Sequence, residues 1–160
     1  MDIRRQLHRQ LAELWTHEPL KNMRNAAEPD GAHFENVGGY GFTSVVHDVF
    51  KLRAELDVLL LREAAAAGGV LSNADIDNQL KTLFDALSCP RQSQQVPEGW
   101  QPGDTERPLH CLLQDDRYIT RVNVESERWL DAPDRQHVRL FIRVRVTNAY
   151  PTYGSAVLGT

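Results

Sequence analysis

Strict alternation in two long segments constrains this chain more than any other feature. In KLRAELDVLLLRE, Leu52, Ala54, Leu56, Val58 and Leu60 occupy every second position. In QHVRLFIRVRVTN, Val138, Leu140, Ile142, Val144 and Val146 share one face, while Arg139, Phe141, Arg143 and Arg145 share the other. Period-two patterning places one side of a strand against a core and the other toward solvent. FTSVVHDVF, just before the first segment, and RYITRVNVESERWL, before the second, read as further strands. The last two segments read as an antiparallel hairpin closed by DAPDR.

Two stretches carry helical spacing instead. Ile3, Leu7, Leu11, Leu14 and Trp15 recur at threes and fours over residues 2–16. In LSNADIDNQLKTLFDALSCP, Ile76, Leu80, Leu83, Phe84 and Leu87 make the clearest helical face in the chain, and Pro90 ends it. Between Pro19 and Gly41 the Asn, Gly and Ala content reads as an extended, pliable loop. AAAAGG at 64–69 reads as a loop after a strand. RQSQQVPEGWQPGDTERP at 91–108 reads as an exposed loop within a long insertion over 88–114, and 148–160 as a loosely ordered tail. The order of elements predicts an α+β domain, a small mixed or antiparallel sheet packed with helices, formed as one unit over 1–160.

Size and charge narrow the function classes. With 160 residues and 41% apolar content, the chain can bury a core without disulfides or structural metal. Cys89 and Cys111 cannot make a tetrahedral thiolate site alone, so reduced thiols are expected. No run of 18 apolar residues occurs and the opening MDIRRQLHRQL is too polar for a secretory signal, so a soluble, cytoplasmic protein without a membrane partner is expected. The formal net charge of −4 argues against a protein that coats nucleic acid nonspecifically. It leaves room for a metal-dependent nuclease, whose site concentrates carboxylates.

The chemistry-bearing segment is the helix opening. Asp75 and Asp77 stand at its start, and Asp77, Lys81 and Asp85 are four apart on one face, with Asn78 beside them. Clustered carboxylates repel unless a cation or proton intervenes, and oxygen-only ligands suit Mg²⁺, or Mn²⁺, rather than zinc. Such an ion polarises a phosphodiester and activates water, and a nearby lysine offsets the developing charge. The same residues also suit a plain helix cap and an exposed charge ladder. Asp115–Asp116 likewise suits a turn before a strand. Spacing alone does not choose.

Taken together, DIDNQLKTLFDAL and the later DDRYI resemble the RusA-type Holliday-junction resolvases, with an Asp-x-Asp-Asn opening, a lysine, Asp-Ala-Leu and a distal Asp-Asp before a strand. The match covers about 71–87 and 115–124. The resemblance implies a RusA-like fold, metal ligation by Asp75, Asp77 and one of Asp115 and Asp116, with Asp116 the better match, and an essential positive charge at Lys81. It also implies a homodimer presenting two sites to branched DNA, a four-way junction, and making paired nicks. The chain departs from the family in the long 88–114 segment and in lacking a basic, proline- and asparagine-rich opening.

Other readings compete. Arg121, Arg139, Arg143 and Arg145 could track phosphates or form a solvated strand face. Asp57 adds a carboxylate to the site only if its strand borders the helix. The six histidines lack HxH or HxxxH spacing, which argues against zinc and leaves His47 and His110 as proton carriers. Trp100, in the polar loop, is the tryptophan to test for DNA contact. A fold retained as a nucleic-acid or protein interaction module is the alternative function. A phosphatase ranks last, because its Asp-x-Asp belongs at a strand end.

Overall fold

A computed structural model describes residues 1–63, 73–134 and 137–150, except the side chains of residues 73–76. The AAAAGG segment and the last ten residues of the tail lie outside the described residues. The fold is α+β. Helix α1 spans Asp2–Leu14, short helix α2 Arg24–Ala27, and helix α3 Asn73–Leu87. The strands are β1 (Phe34–Val37), β2 (Tyr40–Val46), β3 (Leu52–Arg62), β4 (Leu109–Leu113), β5 (Ile119–Arg128) and β6 (Val138–Asn148). They form two three-stranded sheets, β1-β2-β4 and β5-β3-β6.

The second sheet follows from the alternation. Leu52, Ala54, Leu56, Val58 and Leu60 point inward, all buried, and the intervening side chains point outward. Strand β3 sits in the middle, with β5 parallel on one side and β6 antiparallel on the other. The expected β5–β6 hairpin does not form, because each strand pairs with β3 instead. A tight turn would have joined β5 and β6 edge to edge; a central strand apolar along its whole inner face recruits both.

The first sheet was largely hidden in the sequence. The stretch expected to be loop between Pro19 and Gly41 contains β1 and its turn. Gly38 and Gly39 take φ of +61° and +84°, the left-handed conformation required at both centres of a tight hairpin turn. Gly41 is pressed against the Phe34 ring, where a Cβ would come within 2.7 Å. Strand β4 also lies inside the expected 88–114 loop. It pairs in parallel with β2, and Leu109 and Leu113 are fully buried. Even the polar part is anchored, since Val96 and Trp100 belong to a core cluster with Phe42, Leu109, Cys89 and Cys111. The two cysteines are free and buried.

The helices cover the inner faces. Helix α1 packs on β4 and α3, and its Arg4 donates from Nε to the Ser88 carbonyl at 2.9 Å and from Nη2 to the Asp85 carbonyl at 2.5 Å. Those carbonyls lack helical donors at the end of α3, so a guanidinium there is favourable. Leu83 and Leu87 join Trp15, Leu56, Val58, Leu112 and Tyr118 in the main core. Among the described residues, no helix is long and apolar enough to cross a membrane.

Candidate functional site

Helix α3 runs back along β3. Its end meets β4 through a bridge between Ser88 and Leu113, and Cys89 donates its backbone N–H to the Leu113 carbonyl at 2.8 Å. Its earlier turns lie over the far half of the sheet, where Asn78, Gln79, Leu80 and Leu83 share a cavity of about 360 Å³ with Val58, Leu60 and Val124. Apolar residues at helical spacing turn inward, which leaves Asp77, Lys81 and Asp85 exposed on the other side. Among the described residues, Asp77 and Lys81 make no ion pair or hydrogen bond with any side chain. The Asp75 side chain lies outside the described residues; its backbone is in the first turn of α3.

The distal pair behaves as two unlike groups. Asp115 is 6% exposed and caps the turn Asp116–Tyr118, accepting the Arg117 backbone N–H at 3.0 Å. Arg91 forms a close ion pair with it, and Arg117 Nε stands 3.5 Å from its second oxygen. Burial alone would raise this carboxyl, but the Arg117 amide and the Arg91 guanidinium outweigh it and hold the pKa below the usual range. Asp116 is half exposed, 3.6 Å from Arg91. Arg91 is the member of this group that sequence reasoning missed. It sits 24 positions before Asp115, and no periodic pattern links them; only the return of the chain along β4 brings them together.

The two halves of the motif therefore meet through the end of α3 and not through their acids. Asn78, next to Asp77 in α3, lines the cavity with Leu60, whereas Asp116 precedes Ile119, the partner of Ala54. Six strand residues separate these levels, about 20 Å at roughly 3.3 Å per residue. Coordination of one hard cation needs oxygens within about 2.5 Å of it. Among the described residues, no three His, Cys, Asp or Glu side chains are grouped to hold a metal. The described carboxylates of one chain thus do not fit a shared magnesium ion.

Asp57 is on the sheet face away from α3, where Arg121 Nη1 holds it at 3.0 Å, so it does not join the helix-start acids. Trp100 is buried, stacked over Phe42 with rings 6.2 Å apart, and is not available to touch DNA. His47 and His110 belong to an interior aromatic cluster. His33 stacks on His47 at 4.8 Å, His8 lies 5.3 Å from His110, and the Trp15 ring stands edge-on to both His33 and His110. Burial depresses His33 and His110 to about 4 and lowers His47, which Glu35 at 3.2 Å partly counteracts. His33, His47 and His110 are neutral packing groups at pH 7.

The chain matches no family model, no curated protein and no solved structure.

Proposed function

We propose that this chain is a Mg²⁺-dependent, structure-selective endodeoxyribonuclease of the RusA-like class, acting on branched DNA as a homodimer. The observation that carries the reading is the gapless run from Asp75 to Leu87, which puts Asp77 and Lys81 one turn apart on a solvent-facing side of α3 with no competing partner among the described residues. An unpaired lysine beside a helix-start carboxylate is free to meet a phosphate. Of the distal pair, Asp116 is the less engaged, since Asp115 is paired by Arg91 and the Arg117 amide and is buried, whereas Asp116 is half exposed.

One observation favours the second reading, a RusA-like fold kept as a nucleic-acid or protein interaction module. It is the separation of Asp77 from Asp116 along α3, which leaves the described acids of one chain without a common centre. Nicking of a synthetic four-way junction distinguishes the two. Under the nuclease reading, Asp77→Asn abolishes Mg²⁺-dependent cleavage while the thermal midpoint stays unchanged, because the side chain is exposed and unpaired. Lys81→Ala slows cleavage and leaves Mg²⁺ affinity intact in calorimetry. A wild-type chain that binds the junction without nicking it establishes the module instead.

A further inference from the structure

Among the described residues, no helix covers the outer face of the β5-β3-β6 sheet, and its chemistry is unevenly distributed. On β6, Arg139, Phe141, Arg143 and Arg145 occupy successive outward positions, all exposed, with no acid among them. Phe141 is 54% exposed, a large apolar ring held in water between arginines. The Arg139 guanidinium lies over the Trp129 ring, 4.3 Å from its centroid, so a second aromatic surface adjoins the row. Strand β6 is also the sheet edge, open on one side among the described residues.

The acids on this face are Glu55 and Asp57 on β3, and Glu125 and Glu127 on β5. Arg121 engages Glu55 and Asp57 at 3.3 and 3.0 Å, Arg145 faces Glu55 across the strands and pairs with it at 3.7 Å, and Arg143 faces Asp57. Glu125 shares a surface pocket with Phe141 and Arg143, whereas Glu127 stands on β5, two strands from β6 and about 10 Å away, near the screening length at physiological salt. Arg139, Arg143 and Arg145 outnumber the two acids facing them, Glu55 and Asp57, which Arg121 also engages, so the β6 edge is basic although the chain as a whole is acidic.

We propose that the outward row Arg139–Phe141–Arg143–Arg145 binds single-stranded nucleic acid, the arginines meeting successive phosphates and Phe141 stacking on an unpaired base. Exposed aromatics between cations on a sheet face suit a single strand, because bases paired in a duplex offer no free ring face to Phe141. Alternate residues on a strand are about 6.7 Å apart, a spacing matched to neighbouring phosphates of an extended strand. This surface goes beyond the nuclease reading: it lies on the side of the sheet opposite α3 and needs no metal.

Fluorescence anisotropy with a labelled oligothymidine strand of about 15 nucleotides, in EDTA, tests it without any cleavage. The triple variant Arg139→Gln/Arg143→Gln/Arg145→Gln is expected to weaken binding at least about tenfold and to lower the salt slope by about 2, as for three lost single-strand phosphate contacts. Phe141→Ala is expected to weaken single-strand binding about fivefold or more and leave duplex binding unchanged. The charge-matched control Arg9→Gln/Lys21→Gln/Arg24→Gln stays within about twofold of wild type. Absence of wild-type binding, an equal loss in the control, or a Phe141→Ala effect that is nil or shared by duplex overturns the proposal. So does a dimer, seen by light scattering, that the β6 variants dissociate without changing oligothymidine affinity. Should the triple variant fail to fold, amide shifts of the wild-type chain on oligothymidine titration decide: changes concentrated at 139–145 support it, and changes confined elsewhere overturn it. Because every measurement is made in EDTA, failure here leaves the junction-nicking test independent.

Discussion

The two sheets solve the burial problem in different ways. Around β5-β3-β6, every inward position of β3 from Leu52 to Leu60 is apolar, and the charged side chains of β3 go out. Around β1-β2-β4 the interior is mixed: His8, His33, Thr43, Ser44, His47 and Asp115 are all buried there or at its margin. Each buried polar group needs a partner. His33 Nδ1 pairs with the Ser44 carbonyl at 2.8 Å, the Thr43 hydroxyl donates to the His33 carbonyl, and His8 Nδ1 accepts the His110 backbone N–H. Apolar burial depends on area, whereas a polar interior depends on many specific contacts being made at once. The first sheet should therefore be more sensitive to pH and to single losses of a partner, and the second to lost volume.

The largest expected effects test packing in both regions. Phe42→Ala, in the first sheet, should cost about 3–5 kcal/mol, and Leu56→Ala, at the centre of β3, about 2–5 kcal/mol, both measured by urea unfolding. Phe42 and Leu56 are fully buried, so a near-neutral result at either would contradict its place in the core.

Acid should then separate the regions. His33 and His110 have folded pKa values near 4 against an ordinary 6.5, so the unfolded chain binds protons more readily than the folded one. Their contribution is fully present above pH 6.5 and is lost as pH falls from there toward 4, roughly 3 kcal/mol for His33 alone. Trp15, edge-on to both rings, reports the loss by fluorescence. A midpoint that is flat from pH 7 to 4.5 would break the contrast.

A smaller effect is expected from Arg91→Ala, which leaves Asp115 buried with the Arg117 contacts alone. Thermal unfolding should show a loss of about 1–3 kcal/mol, recovered in part when Asp115 is also replaced by Asn. The smallest is Gly39→Ala, about 1 kcal/mol by the same assay, because alanine resists a φ of +84° although nothing crowds the position.

The same contrast explains what could be read without coordinates. The inward faces of β3 and β6 and the apolar face of α3 were legible, since a single period reports a single buried side. The partners of β3 were not. Adjacency in the chain favours a hairpin, and only tertiary pairing shows that β3 lies between β5 and β6. β1 and β4 were missed because both are short and rich in residues that punctuate loops: Gly38 and Gly39 read as pliability, and LHCLL follows a proline-rich stretch. At the candidate site, the order of Asp75, Asp77, Lys81 and Asp116 was legible. The unlike roles of Asp115 and Asp116 were not, because they depend on Arg91, a residue brought in from far along the chain.

The central position of β3 also bears on how the protein is made. Its neighbours come late in the chain, Ala54 waiting for Ile119 and Leu52 for Asn148. At translation rates of about 5–20 residues per second, β3 emerges several seconds before either neighbour exists. During that interval Leu56, Val58 and Leu60 have no strand beside them, and the nascent chain presents an unpaired apolar strand to whatever waits at the ribosome exit.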